Sequence, residues 1–319
     1  MSLDCLSVGI LVADHLCDPI ARVPKPGELI LCARLPLSIG GCASNAAMDL
    51  ARLGVRVGVV GCVGRDPFGR FVAETLAAAG VDTAGIRPLA DAETASTLIL
   101  NVAGEDRRFI HAPGASDRFV ASYIPIEQAL AAKVVYVGGY LLMKKLDPKE
   151  LAGIFRQLRA AGVKTVLDVA LPEPGDAWAR LLPVLRETDV FLPNRDEAEL
   201  ITGLADPVAQ ADHFRAAGAG TVVITCGGQG SVLVSDERRL QAGVYPIDFV
   251  GGTGSGDAFD AGFIAGLLAG EDAAGCLRWG SAVGASCVRS VSATECVFGR
   301  REALDFMAAH RLPITVLPA

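Results

Sequence analysis

A layered α/β fold, with a doubly wound and mostly parallel sheet carrying helices on both faces, is what this sequence predicts. Three observations lead there. Short apolar, β-branched runs alternate with stretches of helical length, which is the pattern of repeated βαβ units. Hydrophobic residues are 51% of the 319 and aromatics only 6%, so the core must come from Ala, Val, Leu and Ile packed closely on Gly. Finally, the 36 glycines and 17 prolines follow no fibrous period and punctuate the elements instead.

In chain order, strand-like runs are expected at Leu6–Val12, Val55–Val63, Val134–Val137, Lys164–Asp168, Val190–Leu192, Thr221–Thr225 and Ser231–Val234. Helical spacing covers Gly41–Leu53, Pro67–Ala79, Pro148–Ala161, Ala177–Leu185 and Pro207–Ala217, and from Gly254 to about Arg289 the pattern is almost wholly helical. Two stretches interrupt the rhythm. Ile20–Leu37 and Thr94–His111 read as short extended pieces with turns at Pro24–Gly27 and Gly104–Asp106. Strands inserted at two points can meet as one small sheet, a lid over the crevice at the main sheet's carboxyl edge. The expectation is one domain over residues 1–319, with the lid formed by residues 14–38 and 94–112.

Charge and hydropathy narrow the function. Lys and Arg number 29 against 36 Asp and Glu, a net charge of −7, whereas proteins that neutralise a phosphate backbone carry a basic surplus. Nucleic acid is therefore not an expected partner. Mean hydropathy is high at +0.40, yet the uncharged strand-like run Thr221–Ser235, interrupted by Gly227, Gly228 and Gly230, falls short of the ~20 predominantly apolar residues a membrane span needs. The first apolar segment contains Asp4 and Asp14 and has no basic start, so a soluble, cytoplasmic protein is expected. The nine cysteines form no CxxC pair and read as small buried hydrophobes in a reducing compartment.

Four segments can carry chemistry. Val250–Phe259 holds Gly251, Gly252, Gly254 and Gly256, then Asp257, then a long small-residue helix. Such a loop lets a ligand approach backbone, and the helix start offers N–H groups to an anion. A carboxylate there would repel phosphate unless it does chemistry, so Asp257 fits a general base for an attacking hydroxyl. No Lys follows the glycines, against a Walker A loop, and a dinucleotide fingerprint would follow the first strand. The plainer alternative is a glycine turn capped by Asp. Gly40-Gly41-Cys42-Ala43-Ser44-Asn45 opens the first long helix and suits a polyol, or ordinary capping by Ser44 or Asn45. Asn194 and Glu197, three apart at a helix start, suit hydrated Mg²⁺ or a capping box. Thr225–Gly230 ends a buried strand in glycines, as a nucleotide wall or a plain turn.

These segments, in this order, resemble the ribokinase-like (PfkB) carbohydrate kinase family over essentially the whole chain. Gly40–Gly64 and Val250–Ala261 look like its two signatures, Pro193–Glu199 like its N-x-x-E motif and Thr225–Gly230 like its nucleotide-contacting turn. The resemblance implies a ribokinase-like fold with a β lid, ATP as donor, Mg²⁺ as helper and a sugar-like hydroxyl as acceptor. It makes Asp257 the base and the amides of Gly254, Ser255 and Gly256 the anion hole. It makes Asn194 and Glu197 the organisers of Mg²⁺ and phosphate, through water, and gives Asp14, Gly40, Gly41 and Asn45 to the sugar. Thr225, Gly227, Gly230 and Thr253 would line the ATP site. Gly251 and Gly252 stand where the family usually has Asp-Thr, so a carboxylate ligand for K⁺ is missing and K⁺ activation is not expected. Ser292-Ala293 stands near the usual Gly-Ala pair. Tyr140, after Gly138-Gly139, could stack on a base or sugar face, as in adenosine kinases, and Arg107, Arg108 and His111 could meet a charged acceptor. A nucleoside kinase on the same fold is the alternative, and a non-catalytic sugar- or nucleotide-binding protein a remoter one. An apolar lid face would pair two subunits as a homodimer.

Overall fold

The computed structural model describes residues 2–105 and 107–318. The elements run β1 (Cys5–Gly9), β2 (Val12–Ile20), β3 (Leu37–Gly40), α1 (Cys42–Arg52), β4 (Val57–Gly64), α2 (Pro67–Ala78), β5 (Asp82–Leu89), β6 (Ala95–Val102) and β7 (Arg108–Ala112). They continue with α3 (Ile126–Ala131), β8 (Val134–Gly138), α4 (Pro148–Ala160), β9 (Lys164–Leu167), α5 (Ala177–Leu185), β10 (Val190–Phe191), α6 (Arg195–Thr202) and α7 (Pro207–Ala216). The last are β11 (Thr221–Thr225), β12 (Ser231–Ser235), β13 (Arg239–Ala242), α8 (Ser255–Leu268), α9 (Ala273–Cys287), α10 (Arg300–Ala309) and β14 (Ile314–Val316).

The large sheet has the order β14-β13-β12-β11-β10-β9-β8-β1-β4-β5, parallel from β11 to β5 and antiparallel beyond β11. From β1 the chain first builds outward through β4 and β5, then returns to β8 on the other side. The crevice of a doubly wound sheet opens at that switch, outside the carboxyl ends of the strands. There β1 and β8 lie so close that a Cβ on Gly9 would come 2.1 Å from the Gly138 carbonyl oxygen. The second, smaller sheet has the order β3-β2-β6-β7.

The expected single strand Leu6–Val12 is instead two strands in two sheets, β1 and β2, broken at Ile10-Leu11. Every residue from Cys5 to Ala13 except Ser7 and Gly9 is apolar and buried, so no change of periodicity marks the crossing. β2 also carries Pro19 beside a register shift between Cys17 and Ile20, a bulge that tolerates a missing donor. Asp106, in the expected turn at Gly104–Asp106, lies outside the described residues. Unexpected elements are β5, β13, β14, α3 and α10. β5 is an edge strand interrupted by Gly85 and Pro88, which is where a strand accepts Pro.

Helices α8 and α9 pack through small residues: a Cβ on Gly262 would meet the Trp279 carbonyl oxygen at 2.5 Å, and one on Gly266 the Cys276 Cα at 3.0 Å. That close packing holds α8 against α9. Among the described residues no helix is long and apolar enough to cross a membrane.

Candidate functional site

The starts of α1 and α8 meet at the switch point. Gly41 caps α1 with φ 91°, and a Cβ there would lie 2.5 Å from the Ile10 carbonyl oxygen, so only glycine lets the chain turn from β3 into α1. The expected side-chain cap is absent: Ser44 Oγ turns back to the Gly40 and Gly41 carbonyls, which frees Asn45. At the other start, Gly254 caps α8 in the left-handed region, φ 77°. Ser255 closes the loop, its N–H donating to the Gly252 carbonyl at 3.2 Å and its Oγ to the same oxygen at 2.9 Å. The Ser255 amide is therefore spent inside the loop. The next first-turn amides, at Gly256 and Asp257, have no intrahelical acceptor.

Asn45 and Asp257, 212 residues apart, join the two helices: Asn45 Nδ2 donates to Asp257 Oδ2 at 2.7 Å. Burial pushes the Asp257 carboxyl above its usual range, opposed by hydrogen bonds from Asn45 and the Cys42 thiol. Asn45 Oδ1 is buried and has no hydrogen-bond partner.

Asp14 approaches from the small sheet. It is buried on β2 between Ser38 and Thr97. A Cβ on Gly40 would fall 2.0 Å from Asp14 Oδ2, so glycine at 40 makes room for the carboxylate. Burial pushes Asp14 up to about 6, against a hydrogen bond from Thr97, with the Asp257 charge adding to the rise. Thr97 Oγ1 in turn contacts His111 Nδ1 at 3.1 Å. Arg108 pairs with Glu105, while Arg107 Nη1 sits 2.7 Å from where a Gly252 Cβ would be. The side chain missing at 252 thus leaves space for a guanidinium over the glycine loop.

Asn194 and Glu197 form a reciprocal capping box at the start of α6: Glu197 N–H donates to Asn194 Oδ1 at 2.9 Å and Asn194 N–H to Glu197 Oε2 at 3.0 Å. The capping alternative is thus realised, and it uses the single amide oxygen of Asn194 and one of the two carboxylate oxygens of Glu197. Burial, with Asp257 and Asp196 nearby, pushes Glu197 up to about 8. A β-bridge between Asn194 and Thr225 sets this motif beside the end of β11. Gly227 and Gly230 follow with positive φ, and a Cβ on Gly230 would strike the Ala242 carbonyl oxygen at 2.0 Å. Thr253 is buried, its carbonyl accepting the Cys287 thiol at 3.2 Å.

Tyr140 is placed elsewhere. Its ring is fully buried and its hydroxyl donates to the Arg180 carbonyl at 3.2 Å, so no ring face is left for a ligand. Three further groups escaped the sequence reading. Asp168, at the end of β9, accepts from the Gly139 N–H at 3.2 Å, and burial together with Glu197 and Asp257 raises its pKa well above the usual range. Asp260 is buried beneath, accepting from Tyr136 Oη at 2.9 Å. Cys42, the first residue of α1, has its Sγ within 4.8 Å of carboxylate oxygens of both Asp168 and Asp257. The only sequence signal for Cys42 was its place directly after Gly40-Gly41.

Residues 3–298 match the model of the pfkB family carbohydrate kinases. The ribokinase of Haemophilus influenzae is 29% identical over 308 residues, spanning 94% of this chain and 97% of that protein. A nucleoside kinase from Methanothermobacter thermautotrophicus is 26% identical over 280 residues, 88% and 87% of the two chains. The fold is shared with Arabidopsis thaliana ribokinase complexed with ribose and ATP, at a TM-score of 0.82 and 23% identity, covering 96% of this chain and 99% of the other.

Proposed function

The chain belongs to the pfkB family of carbohydrate kinases, and from that premise we propose that it moves the γ-phosphoryl group of ATP to a hydroxyl of a sugar or sugar-like molecule, with Asp257 as general base. The observation that carries this reading is the Asn45–Asp257 hydrogen bond. It fixes the Asp257 carboxyl at the mouth of a helix whose first amides are open to an anion, where the carboxylate can take the proton of an incoming hydroxyl. In the transfer, the hydroxyl proton passes to Asp257, the new O–P bond forms, the bond to the β-phosphate oxygen breaks, and ADP leaves.

The acceptor lies between the two sheets. Asp14 and the unpartnered Asn45 Oδ1 accept from its hydroxyls, with Gly40 and Gly41 forming the floor. The small sheet acts as the lid of a one-domain kinase. ATP lies along Thr225, Gly227, Gly230 and Thr253, with its γ-phosphate at the start of α8 on the open amides of Gly256 and Asp257 rather than on the Ser255 amide, which the Gly252 carbonyl takes. Mg²⁺ would be held through water by Asn194 and Glu197, whose oxygen donors suit it, and it would neutralise charge on the phosphates. Gly251 supplies no carboxylate for K⁺. Exposed apolar residues on and beside the small sheet, with Leu29 at 86% and Leu31 at 88%, support pairing of two lids in a homodimer, which sedimentation equilibrium at micromolar protein would refute by finding a monomer.

Asp257→Asn tests the base: the variant folds and kcat drops by at least ~10², whereas near-native turnover would remove Asp257 from that role. A screen with ribose, fructose, 2-keto-3-deoxygluconate, inosine and adenosine separates a sugar kinase from a nucleoside kinase. Ligand binding with no turnover on any acceptor would favour a non-catalytic binding protein.

A further inference from the structure

Cys42, Asp168 and Asp257 come from three separate elements, and their donor atoms all lie within 4.8 Å of one another. We propose that they form a binding site for a thiophilic divalent cation of the zinc class, distinct from the oxygen-donor site for Mg²⁺. Resting on the base role of Asp257, we add that filling this site and phosphorylating the acceptor exclude each other.

One thiol and two carboxylates suit zinc and its heavier analogue cadmium, whereas Mg²⁺ prefers oxygen and keeps its water. Donors ~2.0–2.3 Å from such an ion stand about 3.5 Å apart, so rotations of three side chains cover the remaining ångström or so. The surroundings leave space for this. Cβ atoms on Gly138 and Gly139 would come 2.9 Å from Cys42 Cβ and 3.3 Å from its Sγ, so two glycines clear room around the thiol. The charged neighbours of Asp168 are themselves carboxylates, Glu197 and Asp257, so a bound cation would relieve repulsion. Asn45, assigned above to the acceptor, marks where acceptor and ion would crowd each other. Its Nδ2 is spent on Asp257 Oδ2, while its Oδ1 is buried without a partner beside the same carboxylate. Three protein donors leave a fourth position open to water. On binding, the Cys42 S–H bond breaks, its electron pair goes to the ion and the proton goes to solvent; no redox change occurs.

The site is tested on the full chain without ATP or acceptor. Zn²⁺ should slow alkylation of Cys42, read by mass spectrometry, while equal Mg²⁺ does not; half-buried Cys226 and Cys296 serve as internal controls. Titration with Cd²⁺ should give a sulfur-to-metal ultraviolet band and release protons at this site, the thiol's and those the buried carboxyls hold. Both Cys42→Ser and Asp168→Asn should weaken that step at least about tenfold. Unchanged labelling of Cys42 with Zn²⁺ would overturn the site, and so would an unaltered Cd²⁺ step in Cys42→Ser. Loss in Cys42→Ser with full retention in Asp168→Asn would reduce it to a lone thiol and overturn it equally. Phosphoryl transfer provides a separate arm, in which Zn²⁺ should compete with acceptor and not with ATP. Binding without that competition would refute the exclusion and leave the metal site standing; absence of any turnover would count against the kinase reading alone.

Discussion

Gly254, which caps α8, and Gly256 in the first turn of that helix should respond to alanine in opposite ways. Gly254 sits at φ 77°, ψ −1°, and a Cβ there would lie 2.5 Å from Ala293 Cβ and 2.6 Å from its Cα and carbonyl oxygen. A left-handed non-glycine residue costs about 1–2 kcal/mol. The contacts are with backbone and a fixed methyl, so the loop must retreat by roughly 1 Å to reach ordinary contact distance. A displacement of that size at a reacting centre costs about 10²-fold in rate. Gly256, by contrast, is helical and has nothing within 4 Å of its would-be Cβ, so alanine there should stabilise α8 by about 0.5–1 kcal/mol. If the open space before Gly256 receives phosphate, that methyl obstructs ATP. The expected outcome is Gly254→Ala less stable by 1–2 kcal/mol or more with kcat/KM down about 10²-fold, and Gly256→Ala more stable with a raised KM for ATP. Urea denaturation and a coupled ADP assay measure both. Native turnover in Gly254→Ala would refute the argument from loop geometry. Unchanged ATP kinetics in Gly256→Ala would move the phosphate elsewhere.

Other expectations come from the same geometry. Asn45→Ala removes a hydrogen bond that favours the Asp257 carboxylate, so the acidic limb of the pH–kcat/KM profile should move to higher pH; a shift to lower pH, or none, would mean that Asp257 does not govern that limb. Asp14, pushed up to about 6, accepts acceptor hydroxyls best as the anion, so the acceptor KM should rise as pH falls through about 6, and Asp14→Asn should flatten the profile. Asp49 on α1 is fully buried with both carboxylate oxygens unpartnered, and burial raises its pKa well above the usual range. A raised folded-state pKa in an acid means a destabilising contribution that grows as pH climbs above the unfolded value. Asp49→Ala should therefore stabilise by about 1–3 kcal/mol, more at pH 8 than at pH 5, and a lower Tm at pH 8 would contradict this. With Gly251 in the loop, turnover should be equal in K⁺ and tetramethylammonium buffers of matched ionic strength.

What could be read before the structure is what local chemistry dictates. The Gly251–Gly256 loop, the Asn194–Glu197 spacing and the strands of the parallel sheet each lie within one short stretch, where spacing and residue type suffice. Asp168 was not legible for the opposite reason. At the end of a β-branched run it looks like a solvated strand terminus, and only the parallel register of β8 with β9 carries it to Gly139 and Cys42. Tyr140 misled because Gly-Gly-aromatic suggests an open turn; the short helical turn after Gly139, which has φ 70°, instead tucks the ring under Arg180. Asp14 is given to the sugar by the family resemblance alone. Its actual support is tertiary, a strand of the other sheet and the absence of a side chain at Gly40.

The crevice sets a charge problem that the composition alone disguised. Burial raises the pKa of Asp14, Asp168, Glu197, Asp257 and Asp260, and repulsion from neighbouring carboxylates adds to the rise in all of them but Asp257. An anionic nucleotide enters such a site only against opposing charge supplied locally. The protein supplies it as two helix starts that converge on the same point, α1 after Gly41 and α8 after Gly254, and as the Arg107 guanidinium admitted by the missing side chain of Gly252. The glycines therefore do more than bend the loop. Gly40 leaves room for the Asp14 carboxylate from β2, and Gly252 for the Arg107 guanidinium from the residue before β7. A side chain at either position would collide with that group, its Cβ 2.0 Å from Asp14 Oδ2 at residue 40 and 2.7 Å from Arg107 Nη1 at residue 252, and would push it away from Asp257, the proposed base.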